Sequence, residues 1–169
     1  MSPEQLIDQA LKRYERPLIS YAKGITGNLE SAQDAVQETF LRLSRQDIVA
    51  LEALLAQWLF FVCRNCALDH CRKMARFVDG GLDAVQEKSD TNPSPAAELE
   101  KADDARLLRS LIERLPIEQR EMVKLRFEGG LTYREIGAVM RMSISNVSLQ
   151  IHTALQTLRG LWDNAGAMP

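Results

Sequence analysis

The chain has 169 residues, 46% of them apolar, enough for one medium domain or two small ones with a packed core. Lys and Arg number 21 against 23 Asp and Glu, giving a formal net charge of −2. That balance argues against a free-standing nucleic-acid binder, which draws affinity from phosphate neutralisation and carries a basic excess.

No stretch alternates as a strand does, and helical periodicity runs through the chain, so the expected class is all-α. The opening "MSPEQLIDQALKRYERPL" is charged from the start and does not resemble a secretion signal. No apolar run reads as a membrane span, so no membrane insertion and a cytoplasmic location are expected. Residues 3–23 are predicted helical. Residues 29–45 follow, with Asn28 as N-cap and Ala32, Val36, Phe40 and Leu43 on one stripe. Residues 52–76 make the next helix, with Leu55, Trp58, Leu59, Val62 and Cys66 on one face.

The composition then shifts. "DGGLDAVQEKSDTNPSPAAE" is rich in Gly, Pro, Ser and Asp and reads as a linker. The expected division is a domain over 1–77, an acidic flexible linker over 78–95 and a second small helical domain over 96–169. In the second half, helices are predicted over 96–114 and 117–128, separated at Pro116, the latter ended by Gly129-Gly130. Thr132 and Glu135 form a capping box that opens a short helix with Tyr133, Ile136, Gly137 and Met140 on one face. A tight turn at "RMSI" leads to a last helix capped by Ser143 or Ser145. Its apolar stripe is Val147, Ile151, Ala154, Leu155, Leu158 and Leu161. Short helix, turn and longer helix make a helix-turn-helix.

The segment "CRNCALDHC", residues 63–71, gathers all three cysteines and one of the two histidines. On a helix, Cys63 and His70 stand about 10 Å apart along the axis, whereas two ligands of one zinc ion lie within about 4 Å. No metal site and no cofactor are therefore expected. A Cys63–Cys66 redox pair would need a helix start beside a parallel sheet, and no strand is predicted. The two thiols read as small packing residues. Asn65 and Asp69, four apart, read either as a structural polar pair or as part of a polar site. Arg64, Arg72, Lys73 and Arg76 form a basic cluster that suits a helix C-terminus and equally suits a nucleic-acid contact.

The order of motifs carries a resemblance. "GNLESAQDAVQETFLRL", then "WLFFVCRNCALDHCRK", an acidic linker and "LPIEQREMVKLRFEGGLTYREIGAVMRMSISNVSLQIHTALQTLRGL" resemble the extracytoplasmic-function (ECF) group of the sigma-70 family of bacterial sigma factors. The likeness spans both halves, with a region-two domain first and a region-four domain second. It implies an initiation subunit, not an enzyme, with no catalytic residue. Such a subunit binds core RNA polymerase, through the beta-prime and beta subunits, and directs recognition and melting of promoter DNA. An anti-sigma factor is a further partner common in the group.

Residue by residue, Asp34, Gln37, Glu38, Phe40 and Leu41 match "D-x-x-Q-E-x-F-L", the segment that docks on core polymerase in this family. Trp58, Arg64, Asn65, Asp69, Arg72, Lys73 and Arg76 match the helix that faces the −10 element, with Cys63 where Ala is usual. The resemblance gives the loop of about residues 45–53 the task of receiving a flipped base. The final helix resembles the −35 reader. If Val147 faces the core, Ser145, Asn146, Leu149, His152, Thr153 and Gln156 face outward. Thr132, at the start of the helix-turn-helix, belongs to the same set. Unlike many members, this helix carries no Lys or Arg before Arg159, so phosphate contacts fall to Arg134, Arg141 and Arg159. Asn146 and Gln156 suit adenine, and Leu149 suits a thymine methyl group. Two rival readings stand beside this one: a stand-alone helix-turn-helix regulator, and a sigma-like decoy that binds polymerase without initiating.

Overall fold

The computed structural model describes residues 2–77 and 100–166, and these are helical throughout apart from short turns. Helix α1 spans Pro3–Thr26 and begins with a capping box: Ser2 Oγ accepts from the Gln5 amide while the Gln5 side chain accepts from the Ser2 amide. It stops at Gly27, whose φ of 88° lies in the left-handed region that glycine adopts without a Cβ clash. Asn28 then caps α2, Leu29–Leu43, its Oδ1 accepting from the Ser31 amide at 2.8 Å.

The stretch expected to be a loop at 45–53 is largely helical. Asp47 caps a short helix α3, Ile48–Leu51, which runs through a 3-10 turn at Glu52–Leu54 into α4, Leu55–Phe77. Buried Ile48 anchors the stretch, while Val49 and Leu54 stay exposed. Ile48–Phe77 taken together is long and apolar enough, by length and composition, to cross a membrane, contrary to the expectation from sequence. Its apolar residues have a packing use: Leu59, Phe60, Cys63 and Ala67 are buried against α1 and α2. The buried face of α4 is thus rotated from the predicted one. Leu55, Trp58 and Val62 are only half-buried, at the margin of the same cluster.

The predicted linker, with Gly80-Gly81 and Pro93–Pro95, lies outside the described residues. The structure resumes with α5, Glu100–Ile112. Pro116 starts α6, Ile117–Phe127. Gly130, at φ 71°, turns the chain into α7, Tyr133–Met140, where the capping box forms as predicted: Thr132 Oγ1 accepts from the Glu135 amide and Glu135 Oε1 from the Thr132 amide. Arg141 closes α7 in the left-handed region, and the Met142 amide bonds Gly137 O at 2.9 Å. Ser143 caps α8, Ile144–Gly166, through the Asn146 amide. Gly137 is required here, because a Cβ at that position would sit 2.7 Å from Met142 O. Along α8, Val147, Ile151, Ala154 and Leu158 are buried, whereas Leu155, predicted to be core, is 40% exposed.

The two halves share one core. A single buried cluster joins Leu18, Tyr21, Leu59, Phe60 and Cys63 of the first half to Met122, Leu125, Leu131, Ile136, Val139 and Met140 of the second. A smaller cluster of Leu111, Ile112, Leu115, Val123, Ala154 and Leu158 ties α5, α6 and α8. Helix α6 lies between α1 on one side and α8 on the other, so its consecutive residues Glu121–Leu125 are all buried. Phe60 is the pivot. Its ring meets Tyr21 edge-on at 5.5 Å and Tyr14 at 6.4 Å, and it lies so close to Gly129 that a Cβ there would meet the ring at 2.9 Å.

A shared core should unfold as one unit. Single-tryptophan chains (Trp58→Phe, leaving Trp162, and the reverse) are expected to report coincident urea midpoints. Phe60→Ala should lower both by an amount equal to about 3–5 kcal/mol. Separate midpoints, or a loss confined to the Trp58 signal, would mean the halves are energetically independent.

Candidate nucleic-acid interface

Three exposed surfaces and one cleft hold the residues singled out in the sequence. On α2, Asp34, Gln37 and Leu41 are exposed, and Glu38 beside them pairs with Arg42 at 2.9 Å. Ala32, Val36 and Leu43 face inward and Phe40 is half-buried, so the outward stripe is a consequence of helical period. This pairing spans one turn on an exposed face and contributes about 0.3–0.5 kcal/mol.

On α4, Asn65, Arg72, Lys73 and Arg76 are exposed. Asp69 does not pair with Asn65; Arg72 Nη1 donates to Asp69 Oδ1 at 3.3 Å. Arg64 departs from the expectation of a free basic side chain. Its Nε donates to Glu121 Oε1 at 2.8 Å, across from α4 to α6, and its side chain is only 22% exposed. The same Oε1 accepts from the Tyr21 hydroxyl at 2.9 Å. Burial, and then the Glu121 charge, push the Tyr21 hydroxyl pKa well above its ordinary value, so it stays a donor.

On the helix-turn-helix, Arg134, Ser145, Asn146, Leu149, His152, Thr153 and Gln156 are exposed, as the reading from Val147 required. Thr132 is placed at this surface, but its hydroxyl is engaged in capping α7. Arg141 does not join the outward face of α8. Its guanidinium lies 6.0 Å from the Phe61 ring of α4. Arg42, Arg64, Asn65, Asp69, Arg72 and Arg141 consequently line one cleft between α2, α4 and α7, of about 340 Å³. A second, shallow depression on the helix-turn-helix runs along Tyr133, Ile144, Ser145, Leu149 and His152.

The cysteines and His70 point to separate partners. Cys63 Sγ approaches Leu18 O, Cys71 Sγ lies 3.4 Å from Ile25 O, and His70 Nε2 is 2.7 Å from Ser31 Oγ. No group of three His, Cys, Asp or Glu capable of holding a metal is found among the described residues. The Cys63 and Cys71 thiols pack α4 against α1, and burial pushes the Cys63 thiol up to about 12.

Sequence reasoning missed Glu121, Lys124, Arg120 and Tyr21. Lys124 Nζ donates to Ser20 O at 3.2 Å and Arg120 Nη2 to Gly24 O at 3.2 Å, both at the carboxyl end of α1. The available signal was "EMVKL", whose apolar Met122, Val123 and Leu125 fall on more than one face, the pattern of a helix covered on more than one side.

Comparisons with known proteins are consistent along the chain. The sigma-70 region 2 model matches residues 10–77, and the sigma-70, region 4 model matches residues 105–158. The ECF RNA polymerase sigma factor SigE of Mycolicibacterium smegmatis is 30% identical over 156 residues, covering 90% of this chain and 60% of that protein. SigL of Mycobacterium tuberculosis is 30% identical over 143 residues, covering 82% of this chain and 78% of that one. SigM of Bacillus subtilis is 27% identical over 160 residues, covering 93% and 95%. Among solved structures, the sigma factor RpoE of Bartonella quintana, crystallised in complex with the anti-sigma factor NepR, shares the fold. Its TM-score is 0.68 at 22% identity, over 92% of this chain and 96% of that one.

A thiol raised to about 12 is protonated at neutral pH and a poor nucleophile. Alkylation of Cys63 by iodoacetamide at pH 8 should be undetectable in the folded chain and rapid in urea. Because the folded pKa exceeds the unfolded one, the stability contributed by the neutral thiol is full below about 8.5 and declines as pH rises toward 12. Fast labelling of Cys63 in the folded protein would contradict the packing role.

Proposed function

This chain belongs to the extracytoplasmic-function sigma factors of the sigma-70 family, and from that premise we propose the division of labour that follows. It binds core RNA polymerase and directs promoter recognition and melting. The observation that carries the reading is the pairing of region 2 and region 4 in one chain, in that order, each with its expected functional face on a helix. The matched segments lie within the domains proposed at 1–77 and 96–169.

Asp34, Gln37, Glu38 and Leu41 form the polymerase-docking stripe, supported by their common exposed face on α2. Arg64, Asn65, Arg72, Lys73 and Arg76 face the −10 element, the cations serving phosphates and Asn65 the bases. Thr132, Arg134, Arg141, Ser145, Asn146, Leu149, His152 and Gln156 serve the −35 element. Thr132 acts there by fixing the N-terminus of α7, a donor-rich end suited to a phosphate. Binding energy unpairs a few base pairs, and we assign no bond-making step to the chain. The family's members are initiation factors, and this supports a location with polymerase in the cytoplasm. The net charge of −2 fits this assignment, because polymerase supplies the affinity for DNA that the chain alone lacks. An anti-sigma factor, as NepR is for RpoE, is a proposed partner.

The test is transcription of host genomic DNA by bacterial core polymerase with and without the purified chain, mapping the 5′ ends. Protein-dependent starts with shared upstream sequence are expected. Binding to core without new starts would favour a decoy, and sequence-specific DNA binding without core a stand-alone regulator. Asp34→Ala with Gln37→Ala should weaken core binding about tenfold or more, and unchanged binding would move the docking face. Arg72→Ala with Lys73→Ala should reduce open complexes while leaving core binding intact. Equal loss of both would remove those residues from the DNA-facing set.

A further inference from the structure

We infer that Glu121 is an intramolecular latch: it holds the free chain closed, with Arg64 withdrawn from promoter DNA, while the polymerase-docking stripe stays open. The inference rests on the assignment of Arg64 to the −10 element. Three observations carry it. First, Glu121 of α6 is buried and takes both the Arg64 Nε–H bond and the Tyr21 hydroxyl bond on one oxygen. A carboxylate so placed occupies the Nε donor of a guanidinium that a phosphate would otherwise take. Second, the carboxyl end of α1 is clamped by two cations of the same helix, Arg120 on Gly24 O and Lys124 on Ser20 O. Cations at a helix C-terminus meet its partial negative charge. A Cβ on Gly24 would meet Lys124 Nζ at 2.9 Å and displace that ammonium from the end of α1. Third, α7 lies over α4, with Arg141 above Phe61.

Distance shows that this arrangement is not the DNA-reading one. The −10 and −35 elements are, by their names, roughly 25 base pairs apart, or about 85 Å of duplex at 3.4 Å each. In the closed chain, α4 and the helix-turn-helix that contains α8 are in direct contact through α7. The chain from Phe77 to Glu100 can extend, by covalent reach alone, to about 75 Å. Added to the length of α4, about 34 Å over its 23 residues, that reach exceeds the span, so opening lets the two halves reach both elements and closure forbids it. Asp34, Gln37 and Leu41 are exposed in the closed chain, so polymerase can dock first and the latch open afterwards.

The experiment compares the full-length wild-type chain with Glu121→Gln, which removes the charge facing Arg64. Gly24→Leu, which displaces the Lys124 ammonium from the end of α1 and leaves the Glu121 and Arg64 charges in place, is the second variant. Small-angle X-ray scattering reads the radius of gyration. Fluorescence anisotropy reads affinity for a labelled, A·T-rich single-stranded DNA oligonucleotide, and a pull-down reads binding to core polymerase. If nine chains in ten are closed, closure hides about tenfold of the DNA affinity. Both variants should expand, bind the oligonucleotide up to about tenfold more tightly and bind core at least as well as wild type. A wild-type radius and DNA affinity in a folded variant, or expansion without a gain in DNA binding, overturns the latch. Should Glu121→Gln lose helix content by circular dichroism, Gly24→Leu decides alone. New transcript starts programmed by the wild-type chain test the sigma assignment separately. Their absence sinks that assignment, whereas their presence with latch variants that behave as wild type sinks only the latch.

Discussion

A carboxylate cannot be buried without partners, and Glu121 is 6% exposed. Its position between the Tyr21 hydroxyl and the Arg64 guanidinium sets the geometry of the whole molecule. Tyr21 fixes α1, Arg64 fixes α4 and Glu121 fixes α6, so three helices from two domains share one oxygen atom. A buried ion pair adds little net stability over an apolar replacement, but removing one partner leaves an uncompensated charge and costs about 3–5 kcal/mol. Such a pair selects one docking register among the many that apolar surfaces alone would allow. The apolar contacts around Phe60, Met122, Leu125 and Leu131 then supply the attraction.

The same docking explains features that each half alone would leave without a reason. Lys124 is 7% exposed, yet its ammonium has Ser20 O and Glu113 Oε1 as partners. A Cβ on Gly24 would displace the Lys124 ammonium, and one on Gly129 would meet the Phe60 ring at 2.9 Å as well as its own Leu125 O at 2.8 Å. Both glycines thus permit close approach between domains, a role unrelated to the left-handed turns at Gly27 and Gly130.

Charge is distributed in keeping with a subunit that works inside a larger assembly. Two of the arginines assigned to DNA and one on the docking helix are paired with carboxylates: Arg42 of α2 with Glu38, Arg72 with Asp69 and Arg64 with Glu121. The first and second of these pairs are exposed and weak, easily exchanged for phosphate. The third is enclosed and spans the two halves, from α4 to α6. On the proposed reading, a chain of net charge −2 relies on polymerase for its hold on DNA.

Local chemistry in the sequence determined the helices and their ends. Asn28, Thr132 with Glu135, and Gly129-Gly130 mark boundaries through bonds within four residues, which is why they were legible. The outward set on α8 and the docking stripe on α2 followed from the 3.6-residue period, and the family from the order of two motifs. Where one half's own core decides burial, as at Ala154 and Leu158, the predicted face is the buried one; it differs where a second surface intervenes. Leu155 is left outside both cores. The covered face of α4 turned toward Leu59, Phe60 and Cys63, and α6 showed no stripe because it is covered on two sides. The partner of Arg64 sits 57 positions away on another domain, and no periodicity carries information over that separation. Only the tertiary structure, which must neutralise a buried carboxylate and fill the space beside Phe60 at once, could decide that the two halves close on each other.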